Sequence, residues 1–254
     1  MNLAATYFGA NGWLLEFGAC RVLVDPWLTG QLSFPPGPWL LNGRLPRDWA
    51  VPDNLDLLLL SQGLPDHAHP ETLRLLPRDL KIVGSPSAAK LVGRLGFTQV
   101  TPLHPGESTN IAGLTIRATA GAMVPSIENG YFISHADGKI YLEPHGFLDS
   151  KIESQSVDAV ITPVVDLGLP LAGAFVKGRQ VLPELLKRFE PSTVLASTAG
   201  GNVRFEGLLS SFMQMEGSAK DVAEMLPAQV KFIDPEPGKR YALTSKQSLV
   251  SPSS

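Results

Sequence analysis

Three short apolar runs, 3–9, 13–17 and 21–24, are separated by glycine-containing turns, which predicts an antiparallel meander ending at Asp25-Pro26. Residues 28–54 are rich in proline and tryptophan and hold no sustained period, so they predict a long loop of the kind that covers a binding site. The run LDLLLLS, 55–61, is continuous and of strand length, as expected of a strand buried on both faces. It delivers the turn PDHAH, 65–69, after which Pro70-Glu71 starts a short helix that Pro77 stops. KIVGS predicts another strand, and AAKLVGRLG a helix capped by Ser87, with Leu91 and Leu95 on one face and Gly96 at its end.

Residues 99–118 alternate short strands with turns, and NGYFISHADGKIYLE predicts a hairpin around Asp137-Gly138. DAVITPVV and TVLAST have the pattern of buried strands, RQVLPELLKRFEP is helical, and Ser218 begins the helix SAKDVAEMLP in capping-box fashion. The order is a β meander, alternating β and α, a second meander, then β and α again. It predicts an α/β (α+β) architecture, a four-layer αββα sandwich of two mixed β-sheets, because each meander supplies one face of a shared core. Residues 1–243 are expected to form one domain and 244–254 a disordered tail.

Composition narrows the function. With 44% apolar residues in 254, a large core is available, and 18% charged residues with net charge −3 leave no basic footprint for nucleic acid. The single Cys20 excludes an intramolecular disulfide and a thiolate-rich zinc site. The N-terminus lacks the pattern of a secretory signal, and no stretch reaches the roughly 20 apolar residues of a transmembrane segment, so a cytoplasmic protein is expected.

Four stretches, YFGANGWLLEFGACRVLVDPW, SQGLPDHAHPETL, NGYFISHADGKIYLEPHG and TVLASTAGG, together with the element order, resemble the metallo-β-lactamase-fold superfamily. The similarity covers residues 3–243 and is nearest to the lactonase-like branch that includes ascorbate-6-phosphate lactonase-type hydrolases. It implies the same sandwich and a hydrolytic metal centre. The family's HxHxDH motif, aligned on Asp66 and His67, puts Gln62 and Leu64 where its first two His stand. Its third His falls near Ala122, its bridging carboxylate at His145, and its last His near Ser197 or Thr198. Only Asp66 and His67 keep their family identity, which is a degenerate motif.

Two ligands hold zinc poorly. If His145 points inward, Asp66, His67 and His145 make two imidazoles and one carboxylate, a set suited to one Zn, Fe or Mn ion. Asp66 and Glu143 are then the candidate catalytic carboxylates, in hydrolysis of an ester, lactone or phosphodiester. Each position also has a plain structural role open to it: Asp66 as a cap, His67 as a partner of a loop carbonyl, His69 as a surface or supporting group, His145 as part of a turn. Gln62, Leu64, His69, Trp27, Trp39, Asp166 and Thr198 are the candidate pocket residues, with Phe34 beside the two Trp. Ser61, His67 and Asp66 can be written as a triad, but neighbouring side chains on one turn rarely have that geometry. Three outcomes stay open: a mononuclear metal hydrolase acting on a small-molecule substrate, a non-catalytic relative that binds a small apolar ligand or a protein partner, or a metal-free enzyme using Glu143, Asp66 and His145 as acid and base.

Overall fold

The computed structural model describes residues 3–123, 127–170 and 173–244. Two seven-stranded sheets carry the architecture. The first runs in the order Arg240–Ala242, Leu3–Gly9, Gly12–Phe17, Cys20–Val24, Leu57–Leu60, Ile82–Gly84, Val100–Pro102. It is antiparallel up to Cys20–Val24 and parallel from there on. In the second, Lys231–Ile233, Thr193–Ser197, Ala159–Pro163 and Gly138–Leu142 are parallel, and Ile127–His135, Leu114–Met123 and Ser108–Ile111 continue it antiparallel. Helices α1 (Pro70–Arg74), α2 (Pro86–Arg94), α3 (Gly178–Phe189) and α4 (Ala219–Met225) complete the described elements, with a one-turn 3-10 helix at Leu209–Ser211.

The strand Leu57–Leu60 shows why the chain forms layers. Successive side chains of a strand point to opposite faces. Leu57 and Leu59 enter the core between the sheets, beside Val24, Ile116, Ile133 and Leu195. Leu58 and Leu60 enter a second core with Leu73 of α1 and Ala88 and Val92 of α2. All four leucines are fully buried, and each contributes roughly 1.5–3 kcal/mol by leaving water. On the far side, Leu185 and Phe189 of α3 cover Val160, Tyr141 and Phe132 of the second sheet. The result is the αββα sandwich of two mixed sheets that the element order predicts.

Several local expectations shift. Helix α2 is capped by Ser85, whose Oγ accepts the Ala88 N–H at 3.4 Å. Pro86 takes the first helical position, where its missing N–H costs nothing, so the cap falls one residue before it. Ser87 Oγ accepts the Gly63 N–H instead, at 3.1 Å. The predicted loop 28–54 contains two short strands, Gln31–Ser33 and Asn42–Arg44, in a three-stranded sheet with Arg204–Glu206. That pairing joins residues far apart in the chain, which local periodicity does not report. The hairpin turn is Ala136-Asp137, since His135 pairs with Gly138. The apolar stretch 163–175 contributes another hairpin, Asp166–Leu169 with Gly173–Lys177, paired on its other edge with Gln214–Glu216. Of the expected tail, residues 245–254 lie outside the described residues. Among the described residues no helix is long and apolar enough to cross a membrane.

Candidate metal centre

Both sheets end at one place. The first meander delivers Asp25 and the strand Leu57–Leu60 delivers Ser61, both buried. Asp25 sits at φ 39°, in the left-handed region that Asp tolerates better than most residues. Its Oδ1 accepts the Ser61 N–H at 2.8 Å, its Oδ2 accepts the Ser61 hydroxyl, and Oδ2 lies 2.9 Å from His67 Nδ1. Ser61 Oγ is also 2.9 Å from that nitrogen. With Asp and Ser on the same ring nitrogen, the arrangement is a clamp on His67 and not a nucleophilic triad. The turn that carries His67 closes through its N–H on Leu64 O at 3.0 Å.

The clamp leaves Nε2 of His67 facing inward. It lies 3.2 Å from Asp66 Oδ2, 3.6 Å from Glu128 Oε1 and 3.4 Å from Asn11 Nδ2. From the second sheet, Glu128 holds His145, with its two carboxylate oxygens 2.9 and 2.8 Å from His145 Nδ1. The His67 and His145 rings are 5.2 Å apart between centroids. One ligand atom from each of Asp66, His67 and His145 lies within 4.8 Å of the others.

These groups are electrically coupled. Burial works to lower the pKa of His67, but the Asp66 and Asp25 carboxylates more than offset it and raise it well above the ordinary value. Burial likewise opposes protonation of His145, and Glu128 outweighs it, leaving that pKa raised. For Asp66, burial would raise the pKa, yet the charge on His67 holds it below the usual range. Burial pushes Asp25 up, and it takes Glu143 up to about 7, helped by the Glu128 charge. Asp66 Oδ1 is buried and has no hydrogen-bond partner. A clamped imidazole, a second imidazole held by Glu128 and an unpartnered carboxylate oxygen are donors of the kinds that a divalent cation takes. The residues fit the ion.

A cavity of about 260 Å³ opens over this centre, with Asn11, Asp66, His145 and Thr198 at its polar end. Its walls are apolar, including Leu32, Phe34, Leu167, Phe175, Val203 and Phe205. Thr198 has φ 72°, a strained value for a β-branched residue, and its hydroxyl donates to Pro144 O at 2.7 Å, tying the His145 turn to the cavity rim.

The other sequence candidates lie elsewhere. Glu143 is fully buried and does not line the cavity: Oε1 accepts the His145 N–H at 2.6 Å and Thr162 donates to Oε2 at 3.3 Å. Trp27 is buried in a small core with Ala10 and Leu32, behind the wall. Trp39 is 63% exposed and absent from the lining, and its backbone oxygen accepts the Leu208 N–H at 3.0 Å. His69 caps α1 and meets Gln31 O at 3.1 Å. Asp166 caps α3, accepting the Arg179 N–H at 3.0 Å. Gln62 is buried and Leu64 half-buried, and neither lines the cavity.

A family model described as a beta-lactamase superfamily domain matches residues 4–197, about three quarters of the chain. The chain belongs to the beta-lactamase superfamily. A superfamily relative from Methylobacterium nodulans, described as a UPF0173 metal-dependent hydrolase, is 24% identical over 195 residues, covering 72% of this chain and 79% of that one. Among solved structures, isothiocyanate hydrolase from Delia radicum gut bacteria superposes with TM-score 0.68 at 17% identity, covering 95% of this chain and 99% of that one. A possible metal-dependent hydrolase from Veillonella parvula gives TM-score 0.65 at 16% identity with the same coverage. A metallo-β-lactamase-fold protein from Bacillus subtilis gives 0.64 at 14%, again with 95% and 99% covered. These likenesses establish the metallo-β-lactamase fold. Within this superfamily frame, Asn11, Asp25 and Glu128 are site residues that sequence reasoning missed. Asp25 is signalled only by an Asp-Pro pair closing an apolar strand, and Glu128 only by a carboxylate at the head of one.

Proposed function

We propose that the protein is a metal-dependent hydrolase of the lactonase-like branch, holding one divalent ion, Zn, Fe or Mn, between Asp66, His67 and His145. The observation that carries this reading is their convergence within 4.8 Å beneath a cavity, with His67 clamped through Nδ1 by Asp25. The four sequence patterns shared with the branch and the metal-dependent hydrolase relative support it. When bound, such an ion lowers the pKa of a water and polarises a carbonyl or phosphoryl oxygen. Asp66 lines the cavity: its unpartnered Oδ1 would hold the ion, which leaves Oδ2 as the oxygen that could accept a proton there. Glu128 acts on the His145 ring and Glu143 on its backbone, to hold that side chain at the floor.

Protein purified without chelator is expected to carry about one divalent ion per chain and to hydrolyse at least one member of an ester, lactone and phosphodiester panel. His145→Ala should lose both. Metal content near zero together with chelator-resistant hydrolysis would overturn the proposal. Replacement of five family ligand positions, set beside a largely apolar cavity, favours a second reading, a non-catalytic relative that binds an apolar ligand or a partner. No metal and no hydrolysis would establish that one.

A further inference from the structure

We infer that Asn11 is a fourth donor to the ion, through the oxygen of its side-chain amide, an inference that rests on the metal-binding reading of Asp66, His67 and His145. Asn11 sits in the turn between the strands Leu3–Gly9 and Gly12–Phe17. It is 5% exposed and lines the cavity together with Asp66 and His145. The turn is tied down. Ala10 stands at φ 48°, and its carbonyl oxygen accepts the Tyr7 hydroxyl at 2.8 Å and the Thr198 N–H at 2.9 Å. The Thr198 hydroxyl in turn donates to Pro144 O, so one residue at the end of a second-sheet strand fixes both the Asn11 turn and the His145 turn.

The side chain reaches the proposed ligands. Asn11 Nδ2 lies 3.4 Å from His67 Nε2 and 3.4 Å from the backbone oxygen of Asp66. His67 Nε2 is the nitrogen that the Asp25 clamp on Nδ1 leaves for the ion. In a tetrahedral site with bonds near 2.1 Å, neighbouring ligand atoms stand about 3.4 Å apart, so this end of the amide already keeps a ligand's distance from Nε2. The other end carries the mismatch: Oδ1 is buried and has no hydrogen-bond partner. A buried acceptor left unpaired is costly, and such a group calls for an explanation. An ion supplies one. On taking the Nε2 lone pair it leaves the amide NH2 without that acceptor and facing positive charge. The two ends of an amide are nearly equal in size, so half a turn about Cβ–Cγ exchanges them and brings Oδ1 to the ion. A carbonyl-type oxygen is a donor that Mn in particular accepts, and it adds no charge to the centre.

The test compares Asn11→Ala and Asn11→Asp with the unsubstituted protein, each stripped with chelator and reloaded. Affinities for Mn²⁺ and Zn²⁺ are measured by competitive titration, and the visible absorption bands of the Co²⁺-loaded protein report a change in the atoms that touch the ion. Asn11→Ala is expected to bind Mn²⁺ at least about tenfold more weakly, no less than the loss of a supporting partner costs, and to shift the cobalt bands. Asn11→Asp keeps an oxygen at that position, so it should bind at least as tightly as the unsubstituted protein, also with shifted bands. Denaturant unfolding of the stripped variants should be cooperative, which separates a lost ligand from a lost fold; if Asn11→Ala does not fold, the affinity and bands of Asn11→Asp decide. Unchanged affinity or unchanged cobalt bands in Asn11→Ala, or an Asn11→Asp protein that binds about tenfold or more weakly than the unsubstituted one, overturns the inference and leaves the three-ligand reading standing. An unsubstituted protein that binds none of the three ions overturns that reading and the inference with it.

Discussion

Asp25 would touch neither ion nor substrate in the proposed chemistry, yet the centre depends on it. It fixes the His67 ring by Nδ1 and so decides which nitrogen faces Asp66. Asp25→Asn keeps the size of the side chain and removes the carboxylate that makes the imidazole a strong donor. Loss of such a supporting carboxylate typically costs about 10–100-fold in metal affinity, and that fall is expected in a competitive metal titration. Unchanged affinity would reduce Asp25 to a strand-end partner of Ser61. How much of the site the chain declares can be judged from these same residues. Asp66, His67 and His145 are legible because two are adjacent and the third closes a Pro-His-Gly turn at a strand end. Asp25 and Glu128 are not, since their meaning comes from a pairing across 42 residues in one case and 17 in the other. His69 and Asp166 carry chemically suggestive side chains whose caps on α1 and α3 become visible only with the helix starts in place.

At the level of elements, the turn 143–147 is the piece that brings His145 to the first sheet's ligands. Gly146 stands at φ 69°, and a Cβ there would lie 2.3 Å from the carbonyl carbon of Lys177 and 2.4 Å from the Gly178 nitrogen. These are backbone atoms at the start of α3, and Lys177 N–H donates to His145 O at 2.9 Å across the same contact. Gly146→Ala therefore has to move a strand end or the turn itself. Overpacking and the left-handed conformation together predict a loss of about 2–4 kcal/mol in denaturant unfolding, with weaker metal binding as His145 is displaced. A milder case is Ser85→Ala, which removes the α2 cap and should cost about 1 kcal/mol while leaving the metal site alone. The buried strands and most helices are legible in the sequence because apolar periodicity reports them directly, as the in-and-out alternation of Leu57 to Leu60 does. The small sheet that joins Gln31–Ser33 and Asn42–Arg44 to Arg204–Glu206 is hidden, since its strands are three residues each and pair across the length of the chain.

Over the whole molecule, the two sheets meet through an apolar core and through a few buried polar ties. The Tyr131 hydroxyl donates to Leu60 O at 2.9 Å, Asn129 N–H to Ser61 O at 3.0 Å, and Trp13 Nε1 to Ser197 Oγ at 3.0 Å. The proposed metal ligands straddle the same junction, Asp66 and His67 following a strand of the first sheet and His145 following a strand of the second. A metal held there links the two sheets in the folded state and finds no comparable site in the unfolded chain. Mass action then sets the effect: at about 100 times the dissociation constant, binding stabilises by roughly 2.7 kcal/mol. For a chain of this size about 2–4 °C accompanies each kcal/mol, so adding the preferred divalent ion should raise Tm by about 5–10 °C. Chelator should reverse the rise, and His145→Ala should abolish it while retaining a cooperative transition, because the core between the sheets is unchanged by that substitution. A Tm that ignores every divalent ion tested, with cooperative unfolding intact, would mean that the two sheets converge on these residues for a purpose other than holding metal.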